Sequence, residues 1–429
     1  MTKLHKIGWK TAFMLVISNM IGTGVFTSLG YQLLDVRNVW SIVLLWVLGG
    51  LLALIGAFTF AELGTYFKKS GGDYLFISKA FHPFWGYLSA WTSLIVGFSA
   101  PVAIAGLAME AYLSPFEIPN LRVYIIAVIL LISFFHTISL KHSSVFQTAT
   151  TVFKVLFVLF LMGLGIWYSP IKFNAIDIAS PIFSEISKSG FAVSLLYVTY
   201  AYTGWNAAAY IVGEIHNPEK NLPKALLLGT LVVMIVYVLL QIVFLKFGTY
   251  AQLSGQAEVA ILSIQNILGK ESIPWISAGI GLQLVATMSS YIWIGPRVVH
   301  AMAQHYSLWY WLRPLNAHNI PVRAIWLQTA IILVLLLSGT LQQVLLYTSF
   351  LLQLMGTLAV ASYFKIKRNG DGFKSPWSPY IQYFYVGFSI FVLVFIIIDK
   401  PFESLVGLSI LLFGALTYLF SKKDYTDEG

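Results

Sequence analysis

The chain has 429 residues, of which 58% are hydrophobic and 10% charged, with a mean hydropathy of +0.79. Soluble domains carry about 25% charged residues, so a soluble fold of this length is excluded for want of polar surface, whereas a bilayer removes that demand. The net charge of +9 comes from Lys and Arg scattered through short gaps between apolar runs, which excludes a nucleic-acid footprint, and the lack of cysteine excludes thiolate metal sites and any disulfide-linked subunit.

Runs of about 20 apolar residues suffice to cross roughly 30 Å of hydrocarbon. Such runs recur near 9–34, 40–66, 84–113, 122–140, 145–168, 190–213, 224–247, 274–303, 323–338, 342–364, 380–398 and 402–420. They predict an all-α integral membrane protein with about twelve transmembrane helices. The basic start, Met1 to Lys10, mimics a secretory signal, but its apolar run continues past Gly24 without a small-residue cleavage site and reads as the first span. The polar stretch 248–273 reads as an external loop with a short helix. If the N-terminus is cytoplasmic, Lys68, Lys69, Lys220, Lys224 and Arg323 fall inside, while fewer cations, among them Arg37, Arg122 and Lys400, fall outside. This bias predicts a multi-pass protein of the cell membrane with both termini cytoplasmic.

Two spans are interrupted. The first breaks at Ile21-Gly22-Thr23-Gly24-Val25 and the sixth at Thr203-Gly204-Trp205-Asn206. An odd number of crossings separates them, so the two helices run in opposite directions, as expected of inverted repeats with a broken helix at the midplane. Each glycine costs a helix about 1 kcal/mol relative to alanine. Unwinding at the first break would free N–H groups for a carboxylate, and unwinding at the second would free carbonyls for an ammonium group. The plainer reading of the glycines is close helix packing, and the aromatic residues around the second break read equally well as packing groups. Lys154 lies about ten residues into the fifth span. A charge at that depth must face the bundle interior and find partners, titrate, or snorkel. Glu62, Glu110 and Glu214 lie near span ends and read as solvated or locally paired, and no acidic residue is expected near either break. No metal-ligand spacing, hydrolase triad or nucleotide loop is present, so neither an enzyme nor a cofactor is expected.

The stretch Gly204-Trp205-Asn206 followed by Gly213-Glu214-Ile215-His216-Asn217-Pro218-Glu219-Lys220-Asn221-Leu222-Pro223-Lys224-Ala225 resembles the span-six signature of the amino acid–polyamine–organocation superfamily. Gly22-Thr23-Gly24, Ala61-Glu62-Leu63, Ser70-Gly71-Gly72-Asp73-Tyr74, Arg297 with Ala301-Met302-Ala303, and Ile320-Pro321-Val322-Arg323-Ala324 follow the same pattern in the right order. Within the superfamily the chain is most similar to bacterial members of the L-type amino acid transporter family. The resemblance implies a LeuT-like fold, with repeats over 1–168 and 190–364, two added helices over 380–420 and a cytoplasmic tail at 421–429. It implies that the substrate carboxylate meets the backbone of Gly22, Thr23 and Gly24 near Met20. The amine would meet carbonyls of Tyr200, Ala201 and Thr203, with Tyr200 as an aromatic gate and Asn206 and Tyr237 as further members of the site. By the same resemblance, Lys154 stands where sodium sits in sodium-coupled relatives.

The resulting expectation is sodium-independent exchange or facilitated uptake of small neutral L-amino acids. Proton-coupled symport, with Lys154 carrying the proton, and antiport of cationic amino acids or polyamines are the alternatives on the same fold. A channel or receptor lacks support, because no repeated polar lining and no output module follow from the sequence.

Overall fold

The computed structural model describes residues 6–138, 140–168, 182–368 and 372–421. Helices occupy each of the twelve expected segments, and ten of them are long and apolar enough to cross a membrane. The other two are the sixth, Ser189–Ala201, which ends at its break, and the ninth, Val322–Ser338. The ninth has 17 residues, about 26 Å at 1.5 Å per residue, close to the hydrocarbon thickness. The loop over 248–273 holds two α-helices where one was expected, Tyr250–Leu253 and Val259–Leu268. Of the expected tail only Ser421 lies within the described residues.

Polar residues set where these helices begin and end. The Asn38 side chain accepts from the N–H of Trp40 and Ser41 and caps the second span, Val39–Phe67, which ends at Lys68 in the left-handed region (φ 53°). Capping boxes pair Thr249 with Gln252 and Thr340 with Gln343, fixing the loop helix and the tenth span, Leu341–Lys365. The seventh span, Pro218–Phe247, starts with proline at its first turn, where a missing N–H costs nothing, directly after left-handed Asn217 (φ 48°).

Burial separates a core from a lipid-facing rim. The first and third spans are the most enclosed, with 78% and 83% of their apolar windows buried, whereas the eleventh and twelfth bury 33% and 17%. The rim carries large exposed apolar side chains such as Leu131, Val334, Phe402 and Leu419, which acyl chains can cover. Inside, the second span packs most extensively on the seventh and the third on the eighth, Ile273–His305. The third span departs from expectation, since residues Ser93–Ser99 form a π-turn between Pro83–Thr92 and Ala100–Leu113. The Phe98 carbonyl near the end of this turn accepts from Gln328 Nε2 of the ninth span at 3.1 Å. Gly97 and Phe98 are thereby placed on the wall of the central cavity.

Candidate functional site

The first span is helical over Trp9–Met20 and again over Gly24–Gln32, with Ile21–Thr23 between them unwound. A helix end leaves four carbonyls without intrahelical partners. Here the four are those of Ser18, Asn19, Met20 and Ile21, and each receives a side chain from another span. Lys154 Nζ donates to Ser18 O at 3.3 Å and to Ile21 O at 3.0 Å. The hydroxyl of Tyr291 donates to Asn19 O at 3.3 Å, and that of Tyr237 donates to Met20 O. The donors are treated differently. Gly22 N–H turns to the Tyr237 hydroxyl, and no backbone carbonyl accepts from Thr23, Gly24 or Val25 among the described residues. These three N–H groups sit at the start of the second half-helix, where the peptide dipoles favour an anion.

The sixth span ends its α-helix at Ala201 and passes through turns to a 3-10 segment, Ala207–Glu214. Tyr200 O is taken by Thr203, from its N–H at 2.9 Å and its hydroxyl at 2.7 Å. The carbonyls of Ala201, Tyr202 and Thr203 receive no donor among the described residues. The two breaks touch through glycine. A Cβ on Gly24 would lie 2.5 Å from Ala201 Cα, and one on Gly204 would lie 2.7 Å from the Asn19 carbonyl carbon. Gly204 also has φ 98°, a left-handed backbone that side chains resist. Gly22 has ordinary room, its nearest neighbour being Thr287 Cγ2 at 3.6 Å.

A cavity of about 720 Å³ lies against the second break and opens on the side of the N-terminal segment, past Ile7, Lys10, Glu214 and Arg297. Tyr200, Thr203 and Asn206 line it, as do Ser18, Asn19 and Tyr291. Met20, Gly22, Thr23, Gly24, Ala201, Tyr237 and Lys154 are not on its wall. Of these, Thr23 lies against Tyr200, whose hydroxyl is 3.4 Å from Thr23 Oγ1. On the opposite side the half-helices close: Tyr31 and Tyr197 rings are 5.7 Å apart, Ser28 Oγ donates to Tyr197 O, and Gly255 N donates to Gly30 O. Lys154 is 1% exposed near the middle of its helix, Leu140–Trp167, and no carboxylate lies within salt-bridge distance of it among the described residues. Its counter-charge is the carbonyl end of the first half-helix.

One expectation about acids needs correction. Asp73, at the start of the helix Gly72–Ala80, lines the cavity and accepts from Asn206 Nδ2 at 3.1 Å, so an acidic residue does lie beside the second break. In sequence Asp73 belongs to a loop motif 133 residues from Asn206, and no local pattern announces that meeting. Glu62 is 7% exposed, pairs with Arg368 at 3.1 Å and accepts from Ser375 N. It takes the paired form of the two expected, and the pair is buried and tethers the segment before the eleventh span. Glu110 pairs with Arg122 at a half-exposed span end, as expected. Among the described residues no group of His, Asp and Glu is placed to hold a metal.

Comparison of the sequence with known proteins supplies the family. A family model described as amino acid permease matches residues 7–420. The serine/threonine exchanger SteT of Bacillus subtilis is 28% identical over 95% of this chain and 94% of its own length. The human cystine/glutamate transporter is 27% identical over 94% of this chain and 82% of its own. The mouse b(0,+)-type amino acid transporter 1 is 32% identical over 61% of this chain and 55% of its own. The chain belongs to the amino acid permease family.

Proposed function

We propose that this permease moves small neutral L-amino acids across the cell membrane by sodium-independent exchange or facilitated uptake. The observation that carries the reading is the opposite polarity of the two breaks. The N–H groups of Thr23, Gly24 and Val25 suit a carboxylate, and the carbonyls of Ala201, Tyr202 and Thr203 suit an ammonium group a short distance away. A zwitterion carries both. In this reading Tyr200 is the gate between the cavity and the first break, and Tyr237 fixes Met20 and Gly22 behind it. Asn206 shapes the entrance. Lys154 supplies at the first half-helix the positive charge that a bound cation would otherwise provide, which removes the need for sodium.

The halves 1–168 and 190–364 would rock about the contact of the breaks, with 380–420 as added helices, both termini being cytoplasmic. The cavity then faces the cytoplasm, and the closed Tyr31–Tyr197 side faces out. Similarity over nearly the whole length to a serine/threonine exchanger supports small polar or apolar side chains. Counterflow into proteoliposomes against the twenty amino acids, with and without sodium and a pH gradient, tests the reading. Serine, threonine and alanine should exchange equally well in sodium and in choline. Uptake that needs sodium and proceeds without exchange overturns it.

A further inference from the structure

The cavity wall holds a carboxylate that zwitterion recognition at the breaks does not use. Asp73 sits on the short helix after the second span, and its Oδ1 accepts from Asn206 Nδ2 at 3.1 Å. Tyr210 donates to the same carboxylate and bonds Ser93 of the π-turn. The group is thus oriented by two neutral donors from beyond the second break, and no cation lies within salt-bridge distance among the described residues. A carboxylate so held lines the cavity, on the path from the open side to the carbonyls of Ala201–Thr203. We propose that Asp73, positioned by Asn206 and Tyr210, forms a staging subsite for a protonated primary amine on that path. It hands the amine to the second break, which lies directly past Asn206. The inference rests on the transport reading above and adds a specificity-determining residue to it.

The amine can be the α-ammonium of any amino acid or the side-chain ammonium of a cationic one; the chemistry at Asp73 is the same. Burial pushes the Asp73 carboxyl up to about 6, against the pull of the Asn206 and Tyr210 hydrogen bonds. The titratable groups facing it are the phenols of Tyr210 and of Tyr385 on the eleventh span. The third span offers Ser93 and the tenth Gln353, both uncharged, while Lys10, Glu214 and Arg297 line the solvent end of the cavity. As pH falls through about 6 the carboxyl takes up a proton and its attraction for an ammonium group is lost.

The test uses full-length protein in vesicles of fixed orientation, with serine, lysine and 1-aminobutane as probes. Asp73→Asn keeps the shape and the neutral hydrogen bonds but removes the charge. It should raise KM from the open side about tenfold relative to KM from the closed side, the effect of losing one charge-assisted hydrogen bond. Inhibition by 1-aminobutane from the open side should disappear with it, and Asp73→Glu should restore that inhibition. In the native chain KM from the open side should rise between pH 7 and pH 5, and in Asp73→Asn it should stay flat. A tenfold change for lysine alone assigns the subsite to side-chain amines, and one for both amino acids assigns it to the α-ammonium. Equal changes from both sides, or retained inhibition by 1-aminobutane in Asp73→Asn, overturn the subsite. Absence of any amino acid counterflow in the native chain would instead overturn the transport reading.

Discussion

At the first break, side chains from three other spans meet the carbonyls of Ser18, Asn19, Met20 and Ile21, whereas at the second no donor among the described residues meets those of Ala201, Tyr202 and Thr203. The N–H groups show the reverse bias, with those of Thr23, Gly24 and Val25 left without carbonyl acceptors. An unsatisfied backbone group costs several kcal/mol in hydrocarbon, so neither set is left over by accident. The comparison teaches that two similar helix breaks acquire opposite polarity through what caps them. Lys154, Tyr237 and Tyr291 neutralise the acceptor end of one break and leave its donors without carbonyl acceptors among the described residues. At the other, a tight turn at Thr203 uses a single carbonyl and leaves the rest.

The largest effects should come from forcing the breaks apart. Gly204→Ala puts a Cβ against the Asn19 backbone at 2.7 Å and strains a φ of 98°, and Gly24→Ala meets Ala201 Cα at 2.5 Å. Counterflow should fall to background in both, while Gly22→Ala, with 3.6 Å to its nearest neighbour, should retain measurable exchange. If all three behave alike, contact between the breaks is not what the glycines provide.

Lys154→Ala comes next, because it strips the Ser18 and Ile21 carbonyls of their donor. Each buried carbonyl left unpaired costs about 1–3 kcal/mol, so the exchange rate should fall at least roughly tenfold. A lowered apparent Tm in detergent should accompany it. Tyr237→Phe removes one hydrogen bond, to Met20 O, and should cost about 1 kcal/mol, read as a smaller Tm shift. Thr203→Val at the second break frees the Tyr200 carbonyl from its hydroxyl partner, the N–H bond remaining. It should change KM by less than about threefold. A larger loss in Thr203→Val than in Lys154→Ala would invert the comparison.

Apolar run length made the spans readable, and glycine placement made the two breaks readable, because both are local properties of the chain. The π-turn at Ser93–Ser99 was not, since nothing in Ser-Leu-Ile-Val-Gly-Phe-Ser departs from an ordinary apolar helix. Its freed carbonyl is met by Gln328, a residue 230 positions on. Lys154 stood out by its depth, but the carbonyls it caps lie on another span. Asp73 and Tyr291 escaped notice for a related reason. One reads as part of a polar loop and the other as one more aromatic in an apolar helix, and only the fold turns both toward the cavity. The helix break at Gly22, Thr23 and Gly24 was legible, yet none of the three lines the cavity and Thr23 lies against Tyr200, a layering that sequence spacing does not encode.

The central claim is that one break holds the carboxylate and the other the ammonium. A structure of the protein with L-serine bound tests it most directly. The account expects the carboxylate within hydrogen-bond reach of the N–H groups of Thr23, Gly24 and Val25, with Tyr200 displaced. The ammonium should reach the carbonyls of Ala201, Tyr202 or Thr203. Serine held by side chains of the lower cavity, with both sets of backbone groups untouched, would contradict it.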